Sequence, residues 1–421
     1  MSQIKISTRR DFLNQGLGLV AVGAAAPSFL ARSALAGPKA QSEEPILVVV
    51  QLSGGHDGLS TVVPYANDDY ARNREQTRIP TDELLKVDDE IGFHPNLGGF
   101  KELFDQGSMA VVQAVGYPNP NRSHFRSMDI WHLANNAALT NSTATDISRG
   151  WLGKYCDVAF KHDNDPKLSL AVGTGQAPMA IQGREHPGLS FSRPDSYRYL
   201  GARNDKRRAS AYRKLHEAKR AMASDSLQFV TRTAVDANAS SESIRELASQ
   251  YKSSADYPRS RLAASLQTVA SLIAGGLSTR VYYVLQGGYD THAGQKARHD
   301  RLMTDLGDGV AAFQKDLAAQ GNAERVLTLS FSEFGRRVKE NASQGTDHGT
   351  AGSLFLFGPG VKAGIHGEAP SLAEDDLDRG DLKHKIDFRS VYATVLEKWL
   401  GTQSQSVLDG EFPLLDCLQS A

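Results

Sequence analysis

Ile46-Leu47-Val48-Val49-Val50-Gln51-Leu52 is followed at once by Ser53-Gly54-Gly55-His56-Asp57-Gly58. A nearly unbroken apolar run of this length suits a strand buried on both faces of a parallel sheet. The glycines behind it permit a tight turn that leaves an acid at the carboxyl end of the strand. Similar runs recur at Met109–Val115, Leu168–Val172, Arg280–Leu285, Val326–Phe331 and Leu354–Phe357. Helical stripes lie between several of them. Leu262, Leu266, Val269, Leu272 and Ile273 form one, stopped by Gly275-Gly276, and Leu302, Leu306, Val310, Phe313 and Leu317 form another, stopped near Gly321. Strand alternating with helix predicts an α/β sandwich around a mostly parallel central sheet.

The start of the chain reads differently. Ser7-Thr8-Arg9-Arg10-Asp11-Phe12-Leu13 precedes a modest apolar run from Leu17 to Leu30, which ends in Ala34-Leu35-Ala36. Paired arginines before Asp-Phe-Leu mark a twin-arginine export signal, and the small residues mark its cleavage site. The run is too short and too rich in Ala and Gly for a stable membrane span. Residues 1–36 are therefore expected to engage the twin-arginine translocase, with 37–44 a flexible leader and 45–421 the α/β domain of a periplasmic or extracellular protein. Cys156 and Cys417 form no Cys-x-x-Cys pair, which argues against a structural zinc or thiol-redox motif. The chain has 47 basic against 48 acidic residues; without the four bases and one acid of the signal the balance is 43 against 47. A net charge of −4 gives no electrostatic reason to expect nucleic acid. Residues 203–256 are polar and rich in Lys, Arg, Ala and Ser, and read as a helical insertion whose basic face around Lys206-Arg207-Arg208 is solvated surface.

In open α/β sheets ligands bind beyond the carboxyl ends of the strands, and here those ends carry ionisable residues. Asp57 follows the first strand. Arg122, Ser123 and Arg126 follow Met109–Gly116, with Ser123 at the start of a predicted helix over His124–Leu133. A serine there is an N-cap, or a nucleophile in the field of the helix N-terminus, with the arginines able to clamp an oxyanion. Asp290 and His292 follow Arg280–Leu285; two apart in extended chain, they face the same way and can share one metal. Glu333 follows Val326–Phe331, and Asp347-His348 precedes Leu354–Phe357. Each motif alone reads equally as a turn, a cap or a structural hydrogen bond. Their common placement argues for a shared metal site.

Gly-Gly-His-Asp-Gly-Leu-Ser at 54–60, Tyr-Pro-Asn-Pro-Asn-Arg-Ser-His-Phe at 117–125, Gly-Gly-Tyr-Asp-Thr-His at 287–292, Phe-Ser-Glu-Phe-Gly-Arg at 331–336 and Thr-Asp-His-Gly at 346–349 stand in that order. On these motifs nearly all of the mature chain resembles a group of exported bacterial proteins, domain-of-unknown-function family 1501. That group in turn resembles the alkaline phosphatase superfamily, which includes sulfatases. The resemblance implies an alkaline phosphatase-like three-layer sandwich and two divalent ions. Zinc or manganese would suit Asp/His ligands, and magnesium or calcium an all-carboxylate set. It implies Asp57, Asp290 and His292 as metal ligands and Ser123 as nucleophile. The ligand set is completed in one register by Asp347 and His348, in another by Glu333 with His348 as a separate histidine. Leu354–Val361 and Asp387–Trp399 resemble the closing strand and helix of sulfatases, whose Cys-x-Pro-x-Arg motif is absent. The implied activity is hydrolysis of a phosphate or sulfate ester of a small molecule or glycan. The alternative is a non-catalytic exported protein whose degenerate site holds a glycan or a protein partner.

Overall fold

The computed structural model describes residues 44–135, 149–163, 165, 167–197, 207–208, 210–211, 214 and 240–419. The signal, most of the leader and most of the 203–256 insertion lie outside the described residues; 240–250 are helical.

Strands run in chain order as β1 (Ile46–Ser53), β2 (Val62–Val63), β3 (Leu85–Lys86), β4 (Gly92–Phe93), β5 (Met109–Gly116), β6 (Ser169–Val172) and β7 (Leu189–Phe191). They continue as β8 (Val281–Gly287), β9 (Val326–Phe331), β10 (Gly352–Phe357), β11 (Gly364–His366) and β12 (Ile386–Asp387). The main sheet has the order β11-β5-β10-β9-β1-β8-β6-β7, with β12 also on β5, and β2-β4-β3 form a small separate sheet. β1 lies at the centre, parallel to β8 and β9. The run Leu354–Phe357, read as one more strand of the same kind, turns out to be antiparallel to both β9 and β5.

Period-two alternation along β1 explains the layers. Leu47 and Val49 point into one core, with Trp131, Trp151 and Tyr392; Ile46, Val48, Val50 and Leu52 point into the other, with Leu266, Val269, Val310 and Phe313. The first layer is carried by helices α3 (His124–Leu133), α4 (Trp151–Ala159) and α7 (Phe388–Thr394), the second by α2 (Gly98–Asp105), α5 (Arg261–Ala274) and α6 (Gln295–Ala319), while α1 (Asp68–Asn73) packs near β2. Each fully buried Val or Leu of β1 contributes roughly 1.5–3 kcal/mol. The apolar stripes at 262–273 and 302–317 lie on α5 and α6 as their spacing requires.

The parallel strands end together at one edge of the sheet, and that edge holds the site. β1 stops at Gly54 (φ +123°), where a side chain is excluded twice over: a Cβ would come within 2.4 Å of the Asp290 amide nitrogen. Gly54 therefore brings the turn after β1 against the turn after β8. Gly345 does the same for the segment before β10, since a Cβ there would lie 2.3 Å from the His292 carbonyl carbon.

Candidate metal centre

α3 begins where Asn121 accepts a hydrogen bond from the Ser123 amide (2.8 Å). Ser123 occupies the N-cap with extended backbone, yet its hydroxyl caps nothing. The first turn of α3 is docked by Ser127, whose hydroxyl donates to the Glu333 carbonyl (2.5 Å). This places the His124 ring over the ends of β8 and β9.

Three ligand-type residues, His124, Asp290 and His348, bring one donor atom each within 4.8 Å of one another. His124 Nε2 lies 3.5 Å from Asp290 Oδ1, and His348 Nε2 lies 3.1 Å from the same oxygen. His292 flanks this trio without belonging to it, its Nε2 3.1 Å from Asp290 Oδ1 and 2.9 Å from His348 Nε2. Bonds of about 2.0–2.1 Å to a tetrahedral ion place ligand atoms roughly 3.3 Å apart, and these separations bracket that value.

Each imidazole is held from behind. His124 Nδ1 lies 2.8 Å from Glu333 Oε1, and His292 Nδ1 lies 2.9 Å from Asp347 Oδ1. His348 Nδ1 lies 2.8 Å from the Arg122 carbonyl oxygen. Ionised carboxylates and carbonyls only accept, so each Nδ1 carries a hydrogen, and in the neutral ring Nε2 is the nitrogen left for a metal to take. His124 Nε2 is buried with no hydrogen-bond partner. Backing of a ligand imidazole by a carboxylate or carbonyl is how metal-bound histidines are oriented. Counted formally, the carboxylates of Asp290, Glu333 and Asp347 against the Arg336 guanidinium leave two negative charges, which a divalent ion would neutralise.

Arg336 is fully buried and ties the ligand-bearing turns together. Its Nε donates to Gly55 O (2.7 Å), its Nη1 to Thr346 O (2.7 Å), and its Nη2 to Tyr289 O (2.9 Å), to Asp290 Oδ1 (2.8 Å) and to Gly54 O. Burial opposes ionisation of Asp290, but the Arg336 and His348 hydrogen bonds outweigh it and bring the carboxyl down to about 2. The Glu333 hydrogen bond raises His124, whereas burial lowers His348. Hydrogen bonds from Asn341 and His292 lower Asp347. The side chains of Asp290 and His292 are about half exposed, so the cluster is open to solvent.

The structure thus brings together Asp290, His292, Asp347 and His348, with Asp347 behind His292 and Glu333 behind His124. The two registers for Glu333 and Asp347-His348 are not exclusive in space. Asp57 is a correction. Its carboxylate does not face this cluster's donors but is closed by Arg74, Nη1 to Oδ2 at 2.6 Å and Nη2 to Oδ1 at 3.1 Å, with Ser60 and Gln295 also donating to it. Both partners are buried. The Arg122 guanidinium pairs with the buried Asp381 rather than standing ready for an anion. Arg126 is exposed on the first turn of α3. His124 was not among the residues expected to bind metal. Its signal is a histidine beyond a strand end, the pattern that also marks His292, beside a serine that fits a nucleophile equally well. Arg74 carries no sequence signal and Arg336 appears only as the end of the motif at 331–336, because the partners of both are set by tertiary packing.

The chain matches, over residues 45–410, the family described as "Protein of unknown function (DUF1501)", and it belongs to that family. No curated protein matches it. Among solved structures it is similar to PsFucS1 sulfatase from Pseudoalteromonas sp. (10% identity, 93% of this chain and 74% of that one, TM-score 0.40). It is similar also to a protein in the alkaline phosphatase superfamily from Vibrio parahaemolyticus (8% identity, 91% and 78%, TM-score 0.37). A third is the C-terminal periplasmic domain of EcEptC from Escherichia coli in complex with Zn (8% identity, 76% and 74%, TM-score 0.35).

Proposed function

We propose that His124, Asp290, His292 and His348 hold a divalent transition metal and that the protein hydrolyses phosphate or sulfate esters at it. The carrying observation is the convergence of imidazole Nε2 atoms on Asp290 Oδ1, each ring fixed by a partner at Nδ1. Three nitrogens and one carboxylate suit zinc or manganese better than magnesium or calcium, which prefer all-oxygen sets. A bound ion would supply Lewis acidity toward an ester oxygen. The Ser123 hydroxyl, exposed and without a hydrogen bond among the described residues, stands one residue from His124 at a helix N-terminus, where developing negative charge is favoured. It attacks phosphorus or sulfur as the ester bond to the alcohol breaks, and water then releases the phosphate or sulfate. Arg126 attracts the anionic ester. Export by the twin-arginine route to the periplasm or beyond belongs to the same proposal. Among the described residues no helix is long and apolar enough to cross a membrane.

One observation favours a second reading. The Asp57–Arg74 pair removes a ligand from the two-ion arrangement implied by the superfamily resemblance. A single ion could instead hold a glycan or an exported protein partner without turnover. Assay of the metal-loaded mature protein on aryl phosphate and aryl sulfate esters separates the two. Turnover lost in Ser123→Ala, with metal content unchanged, supports hydrolysis. Absence of turnover on both ester classes, or full activity in Ser123→Ala, rejects attack by Ser123 on an ester at the metal.

A further inference from the structure

A cavity of about 390 Å³ lies beside the metal centre, on the β5–β10 side of the sheet, and none of the clustered ligands lines it. A bulge in β5 creates it. Leu354 pairs with Val112 but Gly352 pairs with Val115, so β5 spends three steps where β10 spends two. Ala114 absorbs the extra residue at φ 51°. Val112 and Val115 both remain in the α3/α4/α7 core, and the two residues between them, Gln113 and Ala114, both face the cavity.

Gln113 is 6% exposed, yet its carboxamide makes no hydrogen bond among the described residues. Its carboxamide opens to the cavity, so a ligand that enters can take the hydrogen bonds that no neighbouring residue takes. Ser353, opposite the bulge, lines the same space. The walls are apolar, formed by Leu59, Val62, Ile91 and Leu382. The basic lining residue, Arg336, is committed to the carbonyls and carboxylate already described. Glu90 adds an exposed carboxylate. This environment disfavours anions such as the esters proposed for the metal centre. A carboxamide presents a donor and an acceptor side by side, and the neutral group that satisfies both at once is another amide.

We infer that this cavity binds a neutral secondary amide flanked by apolar groups, with Gln113 and Ser353 as its polar contacts. That chemistry occurs in peptide backbone and in N-acyl sugars. The cavity is of the size that takes such small ligands. The proposal stands independently of the metal.

The test is calorimetric or ligand-observed NMR titration of the full mature chain with two probes, N-acetyl-leucine N-methylamide and N-acetylglucosamine. Saturable binding of either probe is expected, weakened about tenfold in Gln113→Met, which keeps the size and removes the amide. Ser353→Ala is a milder second variant, expected to weaken binding in the same direction with an unchanged near-ultraviolet circular dichroism spectrum. Which probe binds identifies the peptide or the sugar source. No saturable binding of either probe to the wild type, or equal binding to both variants, overturns the inference.

Discussion

Two turns of nearly the same sequence close adjacent parallel strands: Gly54-Gly55-His56-Asp57 after β1 and Gly287-Gly288-Tyr289-Asp290 after β8. Their aromatic residues touch edge to face, with His56 and Tyr289 ring centroids 5.3 Å apart. Their acids have opposite fates. Asp57 is 1% exposed and sealed by Arg74; Asp290 is half exposed and surrounded by imidazoles. A Gly-Gly-x-Asp turn after a strand therefore delivers an acid to the sheet edge. What that acid then does depends on which residue reaches it, the arginine that ends α1 in one case and a histidine cluster in the other. We read the first turn as structural and the second as functional.

The largest expected effect tests that division. Arg74→Ala leaves the Asp57 charge buried and unpaired, and should cost about 3–5 kcal/mol in denaturant unfolding. Asp290→Asn should change stability by less than about 1 kcal/mol in the metal-free protein, because its charge is partly solvated. The reverse ranking would break the comparison.

Acid should separate the turns next. Burial lowers His56 to about 4, His299 to about 3 and His132 to about 4, below the ordinary 6.5. The unfolded chain therefore binds more protons than the folded one between those values. Stability present above pH 6.5 should be lost as the pH falls toward 4, by roughly 1.4 kcal/mol per pH unit for each histidine. Burial opposes the charge on Asp57, but the Arg74 pair outweighs it and holds the carboxyl far below its usual range, so that pair should persist through this window. Thermal melts of the metal-free protein from pH 7 to pH 4 would show the slope, and a flat profile would contradict it.

Smaller effects sharpen the picture of the open site. Glu333→Gln keeps an acceptor behind His124 but removes its charge, and should weaken metal affinity about 10–100-fold in a competition titration. Ser123→Ala should alter stability by no more than about 0.5 kcal/mol, since the hydroxyl caps nothing. A larger loss would show that Ser123 is a cap after all.

Much of the fold was legible in the sequence because it is periodic. The apolar run at 46–52 located β1, and the stripes at 262–273 and 302–317 located α5 and α6. The reversed direction of β10 was not legible, since a buried antiparallel strand reads as the same apolar run as a parallel one. At the site, Asp290, His292, Asp347 and His348 were legible as ionisable residues near strand ends. Asp57 carried the same mark, but its pairing with Arg74, 17 positions away, depends on packing that no local pattern encodes. The pairing of Glu333 with His124 joins positions 209 apart, which no local pattern encodes.

The central claim is that the β8 turn and its neighbours bind one divalent transition metal. Mass-spectrometric metal analysis of the mature protein, purified from its export compartment, tests it most directly. We predict about one zinc or manganese per chain, lost in His124→Ala and Asp290→Ala and retained in a folded Asp57→Asn variant. A folded wild type without metal that takes up none on titration, or metal that depends on Asp57 and not on Asp290, would contradict that claim.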